Sequence, residues 1–242
     1  MSLIISVYVR EGIVMAADSR LTLTIPKTQP GGQMHTLSLA ASDSAKKLFL
    51  APYNVGIATC GAADIGGVPI AGFVESFIVE MLKGQNHPAE QVANQLKDYL
   101  VALNVRPGTL FHVAGYAKAA AGLDQTLFFV DPAAGNVSRL NPINQQGANW
   151  GGEIDVLQRL LNEVALIQTG GQPPTPLPFH GVPFEFFTLQ DAIDFAVYGI
   201  RSTIETLRFQ AREKTVGGPI DVLVITPDGS KWIEQKQLVA NP

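Results

Sequence analysis

The sequence predicts an α+β fold in which antiparallel sheets are stacked between helical layers, and three observations carry that reading. The chain opens with two apolar runs joined by a tight turn, MSLIISVYVREGIVMAADSR. Its periodicity then runs strands, two helices, strands, two helices, strands. Its 242 residues are 46% hydrophobic and contain no stretch that reads as a linker between two cores. One domain spanning 1–242 is therefore expected, with inserted segments near 23–44 and 170–187.

Taken in order, Leu3–Val9 and residues 13–17 read as buried strands. Arg10-Glu11-Gly12 joins them, with glycine where a left-handed position is wanted. Residues 21–44 are rich in Thr, Pro, Gly and Ser and read mostly as an excursion, with a short strand near 36–40. In KKLFLAPYNVGIATCG, Pro52-Tyr53-Asn54 separates strands 48–51 and 55–60. From Ile70, the residues Phe73, Val74, Phe77, Ile78 and Met81 recur at helical spacing until Gly84 stops them. Pro88 suits the first turn of a second helix whose stripe is Val92, Leu96, Tyr99, Leu100 and Leu103.

Strands resume at 110–117 and 125–130, and DPAAGNV turns the chain into another strand ending near Leu140. Ile154, Leu157, Leu161 and Val164 share one helical face. The segment 170–187 holds five prolines and reads as a lid, an interface arm or an insertion. Thr188 followed by Asp191 resembles a helix cap, ahead of a long amphipathic helix through Leu207. Final strands are expected at 220–226 and 231–234.

A formal net charge of −4 without a basic stripe argues against nucleic acid and against an anionic membrane surface as partners. Charged residues make up 16%, below the usual quarter, which points to surface hidden in a homo-oligomer. Cys60 is the only cysteine, so an intrachain disulfide and a zinc site built on paired cysteines are both excluded. His35, His87, His112 and His180 lack the spacing of helical metal ligands, and no metal or other cofactor is expected. The first apolar run is too short to span a membrane and has no basic segment before it, so a cytoplasmic location is expected.

Four segments, MSLIISVYVREGIVMAADSR, KKLFLAPYNVGIATCG, LFFVDPAAGNVSRL and VGGPIDVLVITPDG, resemble in order those of a proteasome β-type subunit. The resemblance covers nearly the whole chain and is strongest to stand-alone bacterial homologues. It implies the N-terminal nucleophile hydrolase fold, a four-layer αββα sandwich, and an amide-bond hydrolase acting through an acyl-enzyme on a peptide or other amide. Ser2 falls where that family has its first mature residue, which removal of Met1 exposes. An α-amine with a reference pKa of about 7.7 to 8.0 is then a base on the nucleophile's own residue.

The resemblance further implies that Asp18 orients a lysine and the terminal amine, and that Lys47, the second lysine of KKLF, supplies the positive charge favouring the ionised nucleophile. It gives Arg20 the role of holding the acidic cluster and Gly61 that of an oxyanion-hole N–H. Thr215-Val216-Gly217-Gly218 departs from the family pattern, with valine before the glycine pair, and Glu213 is the expected substitute acid. The equivalent of a further family serine falls in residues 147–152, around Trp150. Two other readings stand beside this one: a non-catalytic assembly subunit of the same fold, and a small-molecule amidase or acylase.

Overall fold

The computed structural model describes residues 2–28, 34–105, 108–119, 122–168, 170 and 173–237, with side chains of 24–28 and 34–38 left aside. Met1, on which the expected processing acts, lies outside the described residues. The chain is a mixed α+β structure whose described strand pairs are all antiparallel.

The N-terminal hairpin is β1 (Leu3–Val9) and β2 (Gly12–Ala17), followed by a second hairpin, β3 (Leu21–Thr28) and β4 (Met34–Ser42). Then come β5 (Leu48–Ala51), β6 (Val55–Gly61) and a small pair, β7 (Asp64–Ile65) with β8 (Val68–Pro69). Helices α1 (Ile70–Ser76) and α2 (Ala89–Ala102) precede β9 (Thr109–Ala119), β10 (Gly122–Asp131), β11 (Asn136–Arg139) and β12 (Gly147–Gly152). After α3 (Asp155–Leu161) the short pair β13 (Ala165–Leu166) and β14 (Thr175–Pro176) leads to α4 (Leu189–Phe209), β15 (Asp221–Thr226) and β16 (Gly229–Glu234).

Two five-stranded sheets result, in the orders β12-β1-β2-β15-β16 and β11-β10-β9-β6-β5. Alternation along β1 explains why it reads as uniformly apolar. Leu3, Ile5 and Val7 pack with Leu157, Ala196 and Ile200 of α3 and α4, while Ile4 and Tyr8 pack with Leu48, Ala58 and Leu127 of the other sheet. Both faces of the strand are covered, and its buried Ser6 hydroxyl is paired with His112 at 3.0 Å. The second sheet buries Phe49, Ile57 and Phe111 against Val74, Phe77 and Leu96 of the first helical pair. Each of these large side chains contributes about 1.5 to 3 kcal/mol on burial.

Several expectations need adjusting. The helix from Ile70 changes at Phe77–Met81 into one turn of π-helix, whose widened turn is closed by the Leu82 N–H donating to the Phe77 carbonyl. Pro88 is the residue before α2, not in its first turn, because its backbone is extended (φ −64°, ψ 156°). α3 stops at Leu161 as Asn162 turns extended, which leaves Val164 outside it. The segment 21–44 is mainly a two-stranded hairpin, and the glycine-rich β12, absent from the expected elements, pairs with β1. At α4, Thr188 and Asp191 form the anticipated reciprocal cap.

Candidate active site

Asp18 directly follows β2, and its carboxylate is fully buried. Burial of an anion is tolerable only with donors on its lone pairs, and here there are four. Oδ1 accepts from the Leu3 N–H at 3.0 Å and the Lys47 ammonium at 2.8 Å. Oδ2 accepts from the Arg20 N–H at 3.1 Å and the Gly217 N–H at 3.0 Å. Three separate chain segments thus converge on one side chain, and the first begins one residue after Ser2.

Lys47 sits just before β5, its carbonyl accepting from the Thr59 N–H at 2.9 Å, and it is 4% exposed. Burial pushes its ammonium below the ordinary lysine range, and the Asp18 charge and hydrogen bond pull it partly back. Lys46 goes elsewhere, pairing with Glu75 at 2.8 Å. Ser2 is 3% exposed and its carbonyl accepts from the Glu153 N–H at 2.8 Å. Gly152 makes that approach feasible: at φ +98°, a Cβ there would lie 1.8 Å from the Ser2 oxygen.

Gly61 closes β6 at φ +91°, where a Cβ would come within 1.6 Å of the Gly108 carbonyl oxygen. Together with Ser2, Lys47 and Cys60 it lines a cavity of about 320 Å³ whose remaining wall includes Leu21, Ala45, Ala62, Ala63, Ile70 and Ala71. Burial pushes the Cys60 thiol up to about 12, so it is a packing group and a poor nucleophile.

The other two residues behave differently from expectation. The Arg20 guanidinium does not touch Asp18. It forms a two-pronged pair with Asp43, 2.7 Å on each arm, donates to the Lys214 carbonyl, and rests against Gly217, while only the Arg20 backbone serves the buried carboxylate. The hydrogen bond to Asp43 raises its pKa further. Glu213 is exposed, and none of the hydrogen bonds of the cluster runs to it.

A nearby acid is instead Glu153, whose side chain is only 10% exposed. It accepts from the Thr215 hydroxyl at 2.8 Å and from Arg212 at 3.2 Å, and Arg212 also reaches Asp155 at 2.9 Å. Glu153 directly follows Gly151-Gly152, the glycine pair that ends β12, and that pair ahead of an acid is its signal in the sequence.

Comparison of the chain with protein-family models and with curated proteins finds no match. Among the described residues, no group of three or more His, Cys, Asp or Glu is placed to hold a metal ion. No described helix is long and apolar enough to cross a membrane.

Proposed function

We propose that the chain is an amide-bond hydrolase of the N-terminal nucleophile type, with Ser2 as nucleophile once Met1 is removed. The observation that carries this reading is the buried Lys47–Asp18 pair at 2.8 Å, whose acid also binds the N–H directly after Ser2, beside a cavity that Ser2 itself lines. A buried ion pair is a poor way to gain stability, because desolvation offsets most of its attraction. Its placement at the mouth of a cavity next to a hydroxyl is what catalysis requires.

In this mechanism the α-amine of Ser2 takes the hydroxyl proton as the oxygen attacks the amide carbonyl. The Lys47 ammonium stabilises the developing charge near the nucleophile, and the Gly61 N–H serves the oxyanion. The C–N bond breaks, the amine leaves with the proton, and an ester remains on Ser2. Water, deprotonated by the same α-amine, hydrolyses the ester and restores the hydroxyl. The cavity wall is apolar, and its two lysines are each matched by a carboxylate, Lys46 by Glu75 and Lys47 by Asp18. The acyl side of the substrate therefore carries a neutral apolar group.

The packing supports the finer fold assignment as well. One apolar cluster lies between helices and the first sheet, one between the sheets, and one between the second sheet and the other helices, which is the pattern of a four-layer αββα sandwich. Self-association belongs to the same reading, given Phe186 and Phe209 each at 80% exposure. The test is hydrolysis of a panel of peptide amides differing only in the acyl-side residue. The proposal expects leucine and phenylalanine to exceed aspartate and lysine at least tenfold in kcat/KM, with all turnover abolished by Ser2→Ala. Turnover that survives Ser2→Ala contradicts it.

A further inference from the structure

A second buried ion pair, which the mechanism above does not use, lies beside the first. Asp221 opens β15 and stands opposite Ala17 of β2, and directly opposed residues share a face of their sheet. Ala17 packs between the two sheets with Leu48 and Cys60. Asp18 is the residue after Ala17 and Lys47 the residue before Leu48, so Asp221 is set at their end of the inter-sheet core. Beyond β16 the chain brings Lys236 back onto Asp221. The Lys236 N–H donates to Oδ1 at 2.8 Å and its ammonium to Oδ2. The two side chains are 11% and 3% exposed. Backbone and side chain of one residue thus hold both oxygens of one carboxylate, which fixes the ammonium in place. Burial is the main cause that keeps the Lys47 ammonium below the ordinary lysine range, and the Lys236 charge pushes the same way. The two cations therefore share one poorly screened region, each on its own carboxylate.

We propose that Lys236 is a positioning residue for the reaction, seated on Asp221 so that the segment after β16 adds a second positive charge to the field in which Lys47 and Ser2 act. Its effect on acylation rests on the reading of Ser2 as nucleophile, whereas its effect on Lys47 stands apart from that reading. Negative charge developing on the Ser2 oxygen is then stabilised by two cations across apolar packing that screens them little. The charged and titratable groups around Lys47 are Asp18 after β2, Asp43 ahead of β5 with its partner Arg20, Cys60 of β6, and Lys236 with Asp221. Lys46, its chain neighbour, is turned to Glu75.

The experiment follows the Lys47 ¹³Cε chemical shift against pH in the full chain, with the resonance identified by its loss in Lys47→Met. The rate of acylation by a β-lactone and the melting temperature are measured alongside. Lys236→Met removes the cation and leaves Asp221 buried without it. The Lys47 pKa is expected to rise, acylation to slow by about threefold or more, and the melting temperature to fall. Adding Asp221→Asn removes the unpaired charge. This double variant is expected to regain melting temperature while keeping the raised Lys47 pKa and the slow acylation, which a purely structural role would restore together. Lys236→Arg keeps a cation and is expected to titrate and react as the parent does. A Lys47 pKa unmoved by Lys236→Met, or one that returns to the parent value with the melting temperature in the double variant, overturns the proposal. A raised Lys47 pKa in both variants, with no acylation in the parent, upholds the link between the two lysines and overturns the hydrolase reading instead.

Discussion

Replacing Lys47 with methionine probes the link between the buried pair and the chemistry. The substitution keeps the length of the side chain and removes its charge from a site that is 4% exposed. Asp18 then remains fully buried with three N–H donors, from Leu3, Arg20 and Gly217, and no cation. Breaking one side of a buried pair costs about 3 to 5 kcal/mol, and the retained amide bonds place this case near the lower figure, about 3 kcal/mol. At 2 to 4 °C per kcal/mol for a chain of this size, the melting temperature falls by about 6 to 12 °C. Loss of one preorganised charge from the site slows attack by about 10²- to 10³-fold. The assay is the rate of β-lactone acylation by intact mass, below the variant's own melting transition, with circular dichroism confirming the fold. Acylation within threefold of the parent, or a melting temperature unchanged to 2 °C, refutes the reasoning.

Further consequences concern neighbouring groups. His112 is buried between the sheets, hydrogen-bonded to Ser6 at 3.0 Å, and burial lowers its pKa to about 4 from an ordinary 6.5. Its folded-state pKa is depressed, so its contribution is complete above about pH 6.5 and is lost as the pH falls toward about 4, amounting to about 3 kcal/mol. Denaturant titrations across that range should show a slope that His112→Gln flattens. Gly152→Ala should displace Ser2, since its Cβ would lie 1.8 Å from the Ser2 oxygen, and should abolish acylation together with a loss of more than about 2 kcal/mol by thermal unfolding. Cys60, with its thiol raised to about 12, should resist iodoacetamide at pH 8 in the folded chain and react fully once unfolded in urea.

How far the sequence discloses the molecule depends on the kind of signal each element carries. β1, β2, β6 and β15 are buried on both faces, so their largely apolar runs stand out between turn residues. β12, GANWGG, offers no such run, because its glycines permit close approach of Gly152 to Ser2 and are not there to fill a core. Among the described residues the β3–β4 hairpin pairs only with itself, and its many threonines and serines read in the sequence as an irregular excursion. Within the site, Asp18 is legible because a charge at the end of an apolar run is conspicuous, whereas Lys47, one of two adjacent lysines ahead of a strand, is singled out by the family resemblance. Glu153 is not, since its burial depends on Thr215 and Arg212, about sixty residues away in the chain. Glu213 drew attention by its nearness to the Gly217-Gly218 pair, yet the loop after α4 turns Thr215 and Val216 inward and leaves Glu213 in solvent.

The account depends most on Ser2 being the atom donor to an acyl-enzyme. Intact-mass measurement and peptide mapping after reaction with a β-lactone address this directly. The account predicts a chain that lacks Met1, carries one adduct, and bears it on Ser2, with no adduct in Ser2→Ala. Complete retention of Met1, or an adduct that maps elsewhere and persists in Ser2→Ala, would contradict it.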